Sequence, residues 1–248
     1  MKIIKYKKST NNKYKVYLDN DTDLSLYEEV ILKYELLLKK EIDLDILDEI
    51  NKHNQECEVY YVALNNIKNR FKSIYDLKTT LLKKKYPFEL VELAINKLIK
   101  QGYLNDRLYA KSYINNQIVT TTKGPKKIEL ELRISKVDSN IIDEEINVFD
   151  EETQIKKIDK IVNKMIRSNR TRGGSVLKRK IVNDLNVLGY ETDIIMSVVS
   201  NYDFSNNEDI VKKEYDKLYK KLSKKYSGTE LEYKIKEKLY QKGLYYEN

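Results

Sequence analysis

The chain has 248 residues, 41% apolar and 35% charged, and carries a formal net charge of +8. Charged residues exceed the usual ~25%, which predicts thin elements with much solvated surface, and seven glycines and two prolines argue against a turn-rich β architecture. One cysteine and one histidine exclude a disulfide framework, a Cys-based zinc site and a multi-His metal site; no apolar run reaches the ~20 residues of a membrane helix. The charged start, Met1 to Lys8, has no signal-peptide apolar core, so a soluble cytoplasmic protein is expected.

The first elements read as β. Tyr14, Val16 and Leu18 alternate with Lys13, Lys15 and Tyr17, the period of a half-buried strand. Ile3 to Lys8 is a weaker strand, and Ser9 to Asn12 has turn composition. Asp19-Asn20-Asp21 closes the second strand and leads to a short third one at Leu24 and Leu26. A sheet this small is marginal alone and should lean on a helix near residues 27–38.

From about residue 44 the pattern is helical, with short helices separated by turn cues. Apolar residues fall at three- and four-residue steps, as in Val62, Leu64, Ile67 and Phe71, or Ile158, Ile161, Val162, Met165 and Ile166.

An internal repeat organises these helices. An apolar residue, a leucine four later, Gly or Lys four after that, then an apolar residue, reads Leu77, Leu81, Lys85, Tyr86. It recurs as Ile128, Leu132, Lys136, Val137, as Ile181, Leu185, Gly189, Tyr190, and as Ile235, Leu239, Gly243, Leu244. The spacing of four puts the apolar pair on one helix face, and the glycines fall where a helix C-terminus wants positive φ. Each unit has room for three helices, whose small core is completed by stacking on its neighbours. The fold expected is therefore mainly α: tandem three-helix repeats in an elongated, curved array behind a small N-terminal sheet and helix. The divisions are 1–55 for the sheet and helix, 56–104, 105–149 and 150–204 for three repeats, and 205–248 for a truncated fourth.

Three stretches resemble the RecX family of regulatory proteins. They are Ser73-Ile74-Tyr75-Asp76-Leu77, Gly102-Tyr103-Leu104-Asn105-Asp106 with Tyr109-Ala110, and Gly124-Pro125-Lys126-Lys127-Ile128. The strand-rich start is like that of the longer members from Gram-positive bacteria. The family's glycine after the motif helix is Lys85 in the first unit and Lys136 in the second, which predicts a local difference at those turns. Asn105 or Asp106 reads as a helix N-cap, Tyr109 and Ala110 as seam residues, and Pro125 as a first-turn proline. The resemblance implies a regulator of the RecA recombinase that lies on the RecA–single-stranded DNA filament and damps its ATPase, strand exchange and coprotease activity.

No catalytic, cofactor or metal constellation stands out. There is no Gly-rich phosphate loop, and His53 and Cys57 lie four apart on what reads as an exposed helix rim beside Glu56 and Glu58. Charge is the better lead. Residues 1–60 hold 10 basic against 13 acidic side chains, and residues 61–248 hold 37 against 26. The densest block, Lys164 to Lys180, contains Lys164, Arg167, Arg170, Arg172, Lys178, Arg179 and Lys180 with no acid, beside Gly173-Gly174. Lys123, Lys126, Lys127 and Arg133 form a weaker patch. Both are candidate contacts for phosphate or carboxylate groups, on the filament or on single-stranded DNA. A monomeric helical-repeat binder of nucleic acid that acts without RecA is the competing reading.

Overall fold

The computed structural model describes residues 1–10, 12–169, 171–205 and 208–245. Strands β1 (Ile3–Lys8), β2 (Lys13–Leu18) and β3 (Asp23–Tyr27) form an antiparallel sheet in the order β1-β2-β3. Tyr6 pairs with Val16, and Val16 with Leu24. The period-two face lies inward as the alternation predicts: Val16, Leu18 and Leu26 are buried.

The predicted helix over 27–38 is two pieces, α1 (Glu28–Lys33) and α2 (Leu36–Lys39), parted by Glu35 at φ +55°. The break has a packing reason. In one continuous helix Leu36 would lie above Leu32, which is exposed. The left-handed turn instead carries Leu36 into full burial, where its carbonyl accepts from the Tyr6 hydroxyl at 2.8 Å.

Helix α3 (Leu44–Asn69) is much longer than the short helices foreseen, and the division at 55/56 falls inside it. Its early turns give Ile50 and Cys57 to the core under the sheet, and its later turns give Val59, Tyr60 and Ala63 to the next core. Asn54 ties sheet to helix: its Oδ1 accepts from Tyr27 N–H at 2.9 Å and its Nδ2 donates to the Ser25 carbonyl at 2.9 Å.

Helices α4 (Ile74–Lys83), α5 (Phe88–Lys100), α6 (Asp106–Thr120), α7 (Pro125–Ile134) and α8 (Ser139–Glu145) follow, then a 3-10 turn. Helices α9 (Glu151–Ser168), α10 (Gly174–Leu188), α11 (Thr192–Val199), α12 (Glu208–Leu222) and α13 (Gly228–Gln241) complete the chain. Two compact units emerge, Met1–Tyr113 with Ile134–Ile141, and Ile114–Arg133 with Ile142–Asn248.

The four motif leucines, Leu81, Leu132, Leu185 and Leu239, sit on α4, α7, α10 and α13, each at most 1% exposed. All four turns after these helices are left-handed: Lys85 at φ +65°, Lys136 at +57°, Gly189 at +92° and Gly243 at +70°. The two lysine turns therefore keep the conformation, against the expectation of a local difference. What separates them from the glycines is crowding. Lys85 and Lys136 are exposed, whereas a Cβ on Gly189 would lie 2.6 Å from Lys127 N and one on Gly243 2.6 Å from Val176 Cγ2. Glycine is needed where the turn is docked on another helix start.

That docking recurs in the second unit. Gly124 N–H, just before α7, donates to the Leu188 carbonyl at 2.7 Å, and Lys126 N–H to the Gly189 carbonyl at 3.1 Å. One repeat later, Gly173 N–H, just before α10, donates to the Lys242 carbonyl at 2.8 Å. These bonds satisfy helix-start donors that a side-chain cap would otherwise take. In the first unit a side chain does that work: Asp106 Oδ1 accepts from Ile74 N–H at 2.8 Å, while Asn105 is the N-cap of α6, accepting from Arg107 N–H at 2.9 Å. Tyr109 and Ala110 are buried, and Pro125 is the buried first residue of α7.

Candidate functional site

Both predicted basic segments surround a helix start, but their charges are used differently. Around α7, Lys123 Nζ lies 2.6 Å from Glu131, Lys126 Nζ 2.7 Å from Glu191, and Arg133 3.5 Å from Asp143. Only Lys127 of the four has no acidic partner among the described residues; its backbone is the surface on which Gly189 docks. The patch is largely compensated.

The α9–α10 segment is not. Lys180 pairs with Asp184 at 2.5 Å, and Lys178 lies 5.9 Å from the Phe204 ring centroid. Lys164, Arg172 and Arg179 are exposed and have no acidic partner among the described residues. Arg167 is exposed at the end of α9, and Arg170 lies outside the described residues. Asn169 fixes the segment before α10: its Oδ1 accepts from Arg172 N–H at 3.1 Å, and its Nδ2 donates to the Arg172 carbonyl at 2.7 Å. Gly174 must stay bare, since a Cβ there would fall 1.3 Å from the Phe204 carbonyl oxygen. A cleft of about 660 Å³ opens here, with Arg167, Arg172, Lys213 and Phe204 in its wall and Asp203 and Asp209 beside them. A backbone held by Asn169 and aimed at the start of α10 presents Arg172 as a planar fork suited to phosphate or carboxylate.

Sequence reasoning missed Lys213 and Phe204, which reach this cleft from different elements. It also missed a smaller cleft of about 350 Å³ in the first unit, lined by Arg70, Phe71, Lys72, Lys83, Tyr109 and Tyr113. Arg70 has no acidic partner among the described residues, Phe71 is exposed, and Tyr109 stacks on Tyr113 with centroids 5.7 Å apart. A cation count along the chain does not find it, because its wall combines the segment before α4 with residues of α4 and α6.

His53 and Cys57 do not lie on an exposed rim. Cys57 is buried and His53 half-buried, because this face of α3 packs toward α1, with Tyr34 edge-on to His53 at 5.9 Å. Burial, then the nearby Glu29 carboxylate, pushes the Cys57 thiol up to about 12. Burial and the Lys33 ammonium lower His53, so neither group is set up as a nucleophile–base couple. No helix among the described residues is long and apolar enough to cross a membrane.

A tandem three-helix repeat protein with cation-bearing helix starts is the class these features define. Comparison with known proteins narrows it. Residues 105–145 match the family model "RecX, second three-helix domain". The chain is 27% identical to "Regulatory protein RecX" of Listeria monocytogenes serotype 4a over 248 residues, covering 98% of this chain and 92% of that one. It is 27% identical to the protein of the same name from Halalkalibacterium halodurans, covering 97% and 93%. A crystal structure of regulatory protein RecX superposes with a TM-score of 0.67 at 25% identity, over 81% of this chain and 99% of that one. A structure of RecX from Lactobacillus salivarius gives a TM-score of 0.56 at 25% identity, over 60% and 97%. Over nearly its whole length the chain is similar to proteins of the RecX family.

Proposed function

We propose that this protein regulates the RecA recombinase by binding its filament on single-stranded DNA, and that the usual outcome is inhibition of ATPase, strand exchange and coprotease activity. The observation that carries the reading is the near end-to-end likeness to proteins named regulatory protein RecX. The α9–α10 segment is the proposed contact, with Lys164, Arg167, Arg172 and Arg179 as the cations offered to the filament; Lys123, Lys126, Lys127 and Arg133 are secondary. The protein acts in the cytoplasm as a monomer, without a cofactor and without chemistry of its own.

The exposed cations Lys164, Arg172 and Arg179, which have no acidic partner among the described residues, support a second reading, direct binding to phosphates independent of RecA. One experiment separates the two. RecA ATPase on single-stranded DNA is titrated with this protein, alongside its affinity for the bare strand. A falling ATPase with weak bare-strand affinity upholds regulation. Tight, steeply salt-dependent strand binding with unchanged ATPase favours the second reading.

A further inference from the structure

The first unit holds a ligand set that no basic segment touches. Glu29, in the first turn of α1, comes to His53 and Cys57 on α3, and one donor atom from each lies within 4.8 Å of the others. His53 Nε2 is 3.9 Å from Cys57 Sγ. Tetrahedral zinc with a Zn–S bond of ~2.3 Å and a Zn–N bond of ~2.0 Å separates those two atoms by about 3.5 Å, so the pair is close to coordinating distance as it stands. The remaining imidazole nitrogen, Nδ1, is buried with no hydrogen-bond partner. Counting residue types excluded any Cys-based zinc site, and that exclusion is too broad: one cysteine can join one histidine and one carboxylate in a mixed set.

We propose that Glu29, His53 and Cys57 form a binding site for a divalent transition-metal ion of the zinc type, with water as the fourth ligand. A thiolate, an imidazole and a carboxylate suit such an ion better than magnesium or calcium, which prefer oxygen throughout. An open cleft of about 560 Å³ that includes His53, Cys57, Tyr60 and Lys97 in its wall supplies the access route. The cluster already attracts a cation: Lys97 Nζ lies 2.8 Å from Glu29 Oε1 and 4.3 Å from the Tyr60 ring centroid. Metal binding displaces that ammonium and deprotonates the thiol, releasing one proton to solvent per ion. The bound ion then joins α1, and the sheet leading into it, to α3.

The test is Co²⁺ titration of the untagged full chain in a thiol-free buffer, since His53 is its only histidine. The expected result is one ion per chain, a tetrahedral visible spectrum with a thiolate-to-cobalt charge-transfer band, and displacement by Zn²⁺. Cys57→Ser, shown folded by circular dichroism, should lose the band and weaken binding at least ten-fold. Should Cys57→Ser not fold, Lys97→Met keeps all three ligands and should bind Co²⁺ about three- to five-fold more tightly, because it removes the competing ammonium. No charge-transfer band at millimolar Co²⁺, equal binding by Cys57→Ser, or unchanged affinity in Lys97→Met overturns the proposal.

Discussion

The starts of α7 and α10 are built alike and charged differently. Each follows a backbone donor given to the turn of the next motif helix, Gly124 to Leu188 and Gly173 to Lys242. In the sequence four cations surround the first and seven the second. Yet the α7 cations are met by Glu131, Glu191 and Asp143, whereas Lys164, Arg172 and Arg179 have no such partner among the described residues. Shared backbone geometry therefore serves the fold, and the difference in compensation marks which start has charge left for a partner.

The largest effect should come from the shared geometry. Gly174→Ala forces a methyl into the Phe204 carbonyl and should cost more than ~3 kcal/mol in urea unfolding. Gly102→Ala is the control: it has positive φ but nothing within 4 Å, and should cost about 1 kcal/mol. Equal losses would mean the start of α10 is not tight against Phe204.

The charge difference is tested next. Replacing Arg167, Arg172 and Arg179 with Ala should weaken filament binding at least ten-fold. It should also lower the salt slope on single strands by about 2, with helicity unchanged. Replacing Lys123, Lys126 and Arg133 should cost less than about three-fold, since charges already paired contribute little to a new partner. Similar losses from both sets would erase the contrast.

The first unit sharpens the picture, because there a carboxylate satisfies the helix start. Asp106→Ala leaves Ile74 N–H without an acceptor and should cost ~1 kcal/mol. Asp106→Asn keeps the acceptor. Burial raises the Asp106 pKa despite the Ile74 bond, so its ionised form is the disfavoured one in the fold. The folded protein then holds the proton more tightly than the unfolded chain, and the wild type gains stability relative to Asp106→Asn as pH falls through the folded value. Chemical denaturation at pH 7 and at pH 3 reads this; a wild type that loses stability relative to Asp106→Asn on acidification contradicts it. Smallest of all, Lys136→Gly should stabilise the protein by up to ~1 kcal/mol, because an exposed left-handed turn gains from losing its Cβ.

How much of this was legible beforehand varies with range. The strand face of Val16 and Leu18 and the buried motif leucines follow from periods of two and four, which the chain carries locally. The turns at Lys85 and Lys136 show the limit of that logic, since position in the repeat set their conformation and burial set the need for glycine. The break at Glu35 depends on where Leu36 must go, and the Lys126–Glu191 pair on which repeats touch. Glu29 beside His53 and Cys57, and Lys213 beside Arg172, are likewise products of folding. The basic block itself was plain, but its standing as uncompensated charge was not, because only the fold shows which acids meet the other patch: Glu131 and Asp143 from nearby and Glu191 from a later repeat.

The seam bonds also impose an order of assembly. The amide ahead of α7 finds its acceptor only after the turn following α10 exists, and the amide ahead of α10 waits for the turn following α13. During synthesis α7 and α10 are thus finished by segments made more than one repeat later, whereas α4 waits only for Asp106. The Arg172 loop is among the last parts to be locked, and a ribosome-bound chain would present its strongest cationic surface only once α13 has emerged.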